Sequence, residues 1–360
     1  MPFYNDLSSD NPEGKRTIQR LLALKQALRD IPAKTVDETL LLATWNIRDF
    51  DKPAYGARSD EAIYYIAEII SRFDLVAVQE VYKDLTALHR LIKVLGGYWK
   101  YVITDVTEGR QGNDEVMAYL YDSRKVSFGG LAGEMVLPPV KTADGKVVAA
   151  EQVWRTPYIC GFRCGWSRFM LCSVHILWGK GETRGKKEPD DRIAEVRKVA
   201  QFLRSRTLDK TSWSRNLILL GDFNIFSTKE EGGAFSQLLD AGFEIPESMR
   251  NFVTNAKKDR SYDQIAFRVQ EDRLAWTGKA GVFDYYNQVF TGMDEEIYAD
   301  QMGPAYLKTS KGKVRTVAQR STYYATNWRT HQMSDHLPLW VELKIDFSEQ
   351  YLRRKAGDEA

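Results

Sequence analysis

The chain is expected to fold as an α/β protein in which two mixed β-sheets pack face to face, flanked by helices. Three observations lead there. Leu40-Leu41-Leu42-Ala43-Thr44-Trp45, Leu75-Val76-Ala77-Val78 and Leu217-Ile218-Leu219-Leu220 are nearly unbroken apolar runs, as in strands buried on both faces. Helical patterns separate the first two and precede the third, as crossover connections require. Strands and helices interleave without strict alternation, so a purely parallel sheet does not fit.

Each element has a local cause. Asn11-Pro12-Glu13 offers a capping side chain followed by proline in a first helical turn. Ile18, Leu21, Leu22, Leu28 and Ile31 then recur at helical spacing, predicting a helical appendage over residues 1–38. The strand at Leu40 ends in Asn46-Ile47-Arg48. A helix follows with Ile63, Ile66, Ala67 and Ile70 on one face, and then the Leu75 strand, ending in Gln79-Glu80. Tyr101–Ile103, Val116–Tyr121 and Phe169–Val174 supply further strands. A helix near Ile193–Leu203 leads into the Leu217 strand, and Tyr262–Phe267 and Leu337–Leu343 complete the set. No Pro/Gly/Ser linker divides residues 39–346. Residues 275–330, rich in Tyr, Lys and Arg, read as an insertion, and 347–360 as a solvated polar tail.

Composition excludes several classes. Of 360 residues, 43% are hydrophobic and 28% charged, which suits a globular protein rather than a disordered one. The net charge of +2 leaves any attraction to nucleic acid to a local patch. No apolar run approaches the ~20 residues that span a bilayer. The segment Met1-Pro2-Phe3-Tyr4-Asn5-Asp6 lacks the pattern of a secretory signal, so a cytoplasmic location is expected. Cys160, Cys164 and Cys172 are too few and odd in number for a disulfide framework. They read as small buried hydrophobes in a reducing compartment.

The polar residues of interest fall at the carboxyl ends of buried strands: Asn46, Glu80, His175, and Asp222 with Asn224. Sheets fix the backbone there while loops present side chains, so ligand sites gather at such ends. Roughly 110 residues after Asp222, Ser334-Asp335-His336 adjoins the last apolar run. Only converging strands can bring these clusters together, and the types present suit metal-assisted hydrolysis of a phosphate ester. A hard divalent ion takes oxygen ligands, for which Glu80, Asn46 and Asp335 are candidates. Proton transfer needs a histidine whose second nitrogen is held by a carboxylate. His175 and His336 are available, with Glu115 and Asp263 as partners. Asp222 and Asn224, two apart on an extended segment, are expected to face the phosphate from one side.

In these segments the chain resembles the endonuclease/exonuclease/phosphatase superfamily, and most nearly deoxyribonuclease I-like nucleases. The matching stretches are Thr44-Trp45-Asn46-Ile47-Arg48, Val78-Gln79-Glu80-Val81, Asp114-Glu115-Val116-Met117, Arg155-Thr156-Pro157, Ser173-Val174-His175, Gly221-Asp222-Phe223-Asn224, Tyr262-Asp263-Gln264-Ile265 and Ser334-Asp335-His336. They occur in the family's order over about residues 40–345. The resemblance implies a four-layered α/β sandwich with its site at one edge of the two sheets. It implies that Asn46, Glu80 and Asp335 hold Mg2+, with Mn2+ as the alternative. It pairs Glu115 with His175 and Asp263 with His336, directs Asp222 and Asn224 to metal, phosphate or water, and assigns substrate phosphate to Arg48 and Arg155. The implied activity is hydrolysis of phosphodiester bonds, with nucleic acid as substrate and endonuclease as the type.

The chain also departs from that pattern. Asn113 and Tyr82 replace a tyrosine and an arginine that deoxyribonuclease I places in the DNA minor groove. Double-stranded DNA is therefore not the assured substrate, and a phosphatase or phosphodiesterase for small-molecule or lipid esters stands as the alternative. A catalytically inactive binding protein on the same fold is a further alternative, opposed by the intact residue set. Tyr285, Tyr286, Tyr298, Tyr306, Tyr323, Tyr324, Trp328 and Arg329 of the insertion offer aromatic and cationic contacts for another substrate.

Overall fold

Alternation along the first long strand sets the architecture. In β1 (Thr39–Phe50), Leu40 and Leu42 enter one hydrophobic cluster, whereas Leu41, Ala43, Trp45 and Ile47 enter another. Both faces are therefore covered, which explains the unbroken apolar run. The structure, a computed structural model, describes residues 2–52, 56–105, 114–179, 188–270 and 273–357.

Before β1 comes α1 (Pro12–Ala27), capped by Asn11, whose side chain accepts from Gly14 N at 2.7 Å. After it come α2 (Asp60–Ser71), β2 (Leu75–Tyr82), α3 (Thr86–Leu95), β3 (Trp99–Ile103) and β4 (Glu115–Asp122). The middle of the chain forms β5 (Ser127–Glu134), the short pair β6 (Val140–Lys141) and β7 (Val147–Val148), β8 (Tyr158–Cys164) and β9 (Ser167–His175). Then follow α4 (Asp190–Leu208), β10 (Leu217–Asp222), α5 (Ala234–Asp240), β11 (Asp263–Arg268) and β12 (Ala275–Val282). The last part holds α6 (Ala299–Met302), α7 (Pro304–Leu307), α8 (Val317–Tyr323), α9 (Arg329–Gln332), β13 (Leu339–Lys344) and α10 (Ser348–Ala356).

Among the described residues the strands form a six-stranded sheet, ordered β12-β13-β1-β2-β4-β3, and a five-stranded sheet, ordered β11-β10-β9-β8-β5. Among the described strands only β1 with β2 and β9 with β10 pair in parallel, so both sheets are mixed. Leu40, Leu42, Leu75 and Ala77 from the first sheet share one cluster with Cys160, Phe162, Leu171 and Leu219 from the second. The outer face of the first sheet is covered by Leu21, Leu24, Ile63, Ile66 and Leu88 from α1, α2 and α3. Val196, Val199 and Leu203 of α4 cover the second. The three cysteines are buried thiols, Cys160 and Cys164 with pKa pushed up to about 12 by burial. No helix among the described residues is long and apolar enough to cross a membrane.

Two readings of the elements need correction. Leu24, not Leu22, faces the core from α1; Leu22 is 62% exposed. Residues 275–330 begin with a sheet strand, since β12 pairs antiparallel with β13 through Gly281↔Trp340 and Val282↔Leu339. Most aromatics that follow pack down on the first sheet, with Tyr285, Tyr298 and Tyr324 almost fully buried. Asn113 lies outside the described residues.

Candidate active site

Register builds the site. Asp222 ends β10 and lies opposite His175 of β9 on one side and Asp263 of β11 on the other. Three polar side chains therefore line up across neighbouring strands of the second sheet. The β9–β10 contact is tight: a Cβ on Gly221, where φ is +130°, would meet Val174 O at 2.2 Å.

The first sheet faces this row. Asn46 continues the even-numbered inward series of β1 after Leu40, Leu42 and Thr44. Its Nδ2 donates to Asp222 Oδ2 at 3.0 Å and to Glu80 Oε1 at 2.8 Å. Glu80 arrives there by a bulge. In β2 the odd residues Leu75, Ala77 and Gln79 point between the sheets, Gln79 Nε2 donating to Ser173 Oγ at 2.9 Å. Strict alternation would send Glu80 outward with Val76 and Val78. Instead Glu80 takes φ +61°, the register shifts between Val78 and Val81, and Val81 becomes the next outward residue. The extra residue turns Glu80 toward Asn46. Glu80 thus sits inside β2, which runs on to Tyr82, rather than beyond its end.

His336 precedes β13, in a loop held by Ser334. Ser334 Oγ donates to Asn46 O at 2.7 Å and accepts from Arg48 N at 3.1 Å and His336 N at 3.0 Å. Trp45 Nε1 donates to His336 O at 3.0 Å. Tyr285 Oη lies 2.8 Å from both Ser334 O and His336 O, so the inserted segment braces this loop.

The sequence-based pairs meet. His175 Nδ1 lies 3.1 Å from Glu115 Oε2, and His336 Nδ1 lies 2.8 Å from Asp263 Oδ2. Their Nε2 atoms both approach Asp222 Oδ2, at 3.7 and 3.6 Å, and His175 Nε2 is also 3.7 Å from Glu80 Oε1. Burial depresses the His175 pKa and the Arg155 cation adds to that, but Glu115 and Asp222 outweigh both and the net shift is upward. For His336, burial again depresses the pKa, yet Asp263, Asp222 and Asp335 raise it well above the ordinary value. Burial pushes the Glu80 carboxyl up; His175 opposes this, while Glu115 and Asp335 add to the rise.

Asn224 differs from expectation. The chain is not extended there: Asn224 has φ +55°, its N–H donates to Asp222 Oδ1 at 2.8 Å, and its Nδ2 donates to Ile176 O at 2.7 Å. It reaches the site through a tight turn, not through strand alternation. Buried Arg192 of α4 holds that turn by donating to Asn224 O and Trp178 O. Asp335 lies beside the centre, close enough to influence Glu80 and His336, but outside the two tight groups Glu80–His175–Asp222 and Asp222–Asp263–His336. Arg155 Nε is 3.2 Å from Glu115 Oε2, on the His175 side. Arg48 is held by the inserted segment, its Nη1 donating to Thr326 O at 3.2 Å and Thr330 Oγ1 at 2.5 Å, and it lines a hollow with Asp335 and Tyr262.

These residues fit a divalent cation. Asn46 Oδ1 is a buried acceptor with no hydrogen-bond partner among the described residues. Five carboxylates (Glu80, Glu115, Asp222, Asp263 and Asp335) crowd two histidines and Arg155, an excess of negative charge that a hard cation offsets. Non-glycine residues with left-handed backbone gather here too, at Asp49, Glu80, Asp114 and Asn224.

Sequence reasoning missed several contributors. Ser334 and Gln79 stand inside the matching stretches without a role assigned to them. The Tyr262 ring packs against that of His336, tilted by 36° with centroids 5.4 Å apart, and half-exposed Trp178 sits 5.5 Å from Tyr262. Their closeness in sequence to Asp263 and His175 was the available signal.

No protein-family model matches the chain, and no curated protein matches it. Solved structures do. The endonuclease/exonuclease/phosphatase from Bacteroides vulgatus superposes with a TM-score of 0.51 at 15% identity, over 87% of this chain and 100% of that one. The chain has the endonuclease/exonuclease/phosphatase fold. A conserved protein of unknown function from Enterococcus faecalis V583 gives a TM-score of 0.50 at 15% identity, over 85% and 100%. With two packed mixed sheets between helical layers, the deoxyribonuclease I-like sandwich is the architecture observed.

Proposed function

We propose that the chain is a divalent-metal-dependent phosphoesterase that cleaves phosphodiester bonds, with nucleic acid as substrate and endonuclease as its type. The observation that carries the reading is the pair of opposed histidine–carboxylate dyads facing Asp222 Oδ2 beside the orphaned Asn46 Oδ1.

Asn46 and Glu80 would hold the cation, with Asp222 or Asp335 beside them. Mg2+ suits the oxygen donors and Mn2+ is the alternative. Bound there, it supplies neutralisation of charge on the phosphoryl oxygens. The protein supplies the proton transfers. One histidine takes the proton of the attacking water at Nε2, while its carboxylate fixes Nδ1–H and the ring orientation. The other gives its Nε2 proton to the departing oxygen. Asp222, between the two Nε2 atoms, stabilises whichever ring is charged. Arg155 stands where a guanidinium can meet a phosphate oxygen on the His175 side.

A second reading, hydrolysis of a small phosphate ester, is favoured by a cavity of about 390 Å3 beside Asp335, a size usual for small ligands. The test is an assay of purified protein on plasmid, single-stranded DNA, RNA and bis(p-nitrophenyl) phosphate, with Mg2+, Mn2+ or chelator. Metal-dependent cleavage of a polynucleotide is expected. Turnover confined to small esters would replace the first reading with the second, and no turnover on any substrate would sink both.

A further inference from the structure

The cavity beside Asp335 is lined by Arg48, Lys257, Tyr262, Arg329 and Thr330, among others. Three of these side chains are cationic, and among the described residues Asp335 is the one carboxylate on the wall. Lys257 and Arg329 form no ion pair among the described residues; Arg48 has only Asp49, at 3.9 Å. Cations gathered without matching carboxylates around a hollow favour an anionic ligand.

The wall is built, not incidental. Residues Tyr324–Trp328 form a π-helical turn, a rare geometry that is concentrated at functional sites. Arg48 ties the end of β1 to this turn through Thr326 O and Thr330 Oγ1. Arg329 follows the turn. Its Nε donates to Ala325 O at 3.1 Å and its Nη1 to Phe290 O at 3.3 Å, and its guanidinium lies 4.3 Å from the Tyr286 ring centroid. On the opposite wall, Ala256 N donates to Asp335 O at 2.7 Å, which fixes the loop that carries Lys257. The inner end of the cavity reaches Asp335 and Tyr262, and the Tyr262 ring lies 5.4 Å from that of His336. A ligand seated there abuts the reaction centre.

We propose that this cavity is a subsite for a second phosphate group of the substrate, distinct from the ester being cleaved, with Lys257 and Arg329 as its specificity-determining residues. The proposal rests on the phosphoesterase reading above and adds that the substrate carries more than one phosphate. Such a group is supplied either by the next linkage of an oligonucleotide or by a bisphosphorylated small molecule.

Two measurements test it. The first needs no turnover: inorganic pyrophosphate is titrated calorimetrically into wild type, Lys257→Ala and Arg329→Gln. Wild type is expected to bind, each variant roughly tenfold more weakly. Lys257 is exposed and forms none of the described hydrogen bonds, so its variant keeps the fold if Arg329→Gln does not. The second compares kcat/KM for thymidylyl-thymidine with and without a terminal phosphate, and for a hexose bisphosphate against a monophosphate. Wild type should prefer the doubly charged member of one pair, and that ratio should collapse in the variants. The responding pair identifies the source of the phosphate. Equal pyrophosphate affinity in all three proteins, or a preference that both variants retain, overturns the subsite. If no ester is cleaved, the phosphoesterase reading fails, and pyrophosphate binding alone still decides the subsite.

Discussion

His175 at the end of β9 and His336 in the loop before β13 approach one carboxylate oxygen: their Nε2 atoms lie 3.7 and 3.6 Å from Asp222 Oδ2. Each ring is turned by a carboxylate on Nδ1, Glu115 for one and Asp263 for the other. Both Nε2 atoms therefore face the same small volume, where one group can remove a proton and the other can return one. That symmetry follows from β-register, since β9, β10 and β11 carry His175, Asp222 and Asp263 at matched positions.

Removing one ring should break the reaction. His336→Ala is expected to lower kcat at least about a hundredfold, in line with general acid–base contributions. Because Asp263 acts through His336, the double variant His336→Ala, Asp263→Ala should lose little more than His336→Ala alone. Steady-state kinetics of the wild type, both single variants and the double variant check this. Multiplying losses would mean that Asp263 acts independently.

The metal reading makes a prediction for stability that needs no substrate. A cation that binds only the folded state raises the unfolding midpoint by mass action. Millimolar Mg2+ or Mn2+ should raise the melting temperature of the wild type. Glu80→Gln, which removes one anionic donor beside Asn46, should lose most of that rise. Calorimetric melts with and without metal decide it. A wild type indifferent to both ions would remove the cation from this site.

Much of this was legible in the sequence. The strands and the two packed sheets follow from the apolar runs and the helical patterns between them, whereas the pairing of Glu115 with His175 and of Asp263 with His336 is what the family resemblance implies, since both acids begin strands rather than end apolar runs. What the sequence hid is irregular backbone. Periodicity assigns Glu80 to the helix-covered face, and only the bulge at φ +61° reverses it. Period-two reasoning likewise predicted an extended Asp222–Asn224 segment, where a left-handed turn stands. Arg48 is tied through Nη1 to a segment 278 and 282 residues away in sequence and lines the cavity beside Asp335, an arrangement no local pattern reveals. Leu22 was misplaced because the helical stripe runs through Leu21, Leu24 and Leu28, as burial rather than hydrophobicity shows.

Gly221 ties the fold to the chemistry. Its φ of +130° and the 2.2 Å approach to Val174 O leave no room for a side chain on backbone that holds Asp222 opposite His175. Gly221→Ala is expected to cost roughly 2–4 kcal/mol of stability, through strain and displacement of β10 from β9. Urea unfolding measures this, and activity should fall with it as the Asp222–His175 register is disturbed. A variant of native stability would show that the strands relax apart freely.

His331 offers a test by pH away from the reaction centre. Burial, then the Arg48 and Arg58 cations, push its pKa down to about 3. An imidazole in the unfolded chain titrates near 6.5. As pH falls below ~6.5 the unfolded chain takes up a proton that the folded protein refuses. The stability linked to His331 is therefore whole above that pH and is lost progressively as pH falls toward 3. Because the side chain is only partly buried, the loss between pH 7 and 5 should be about 1 kcal/mol after allowing for solvent screening. Glutamine at this position cannot titrate, so His331→Gln should lose correspondingly less over the same interval. Urea unfolding of both proteins at pH 7 and 5 measures the difference, and equal losses would mean that the His331 imidazole titrates as it does in water.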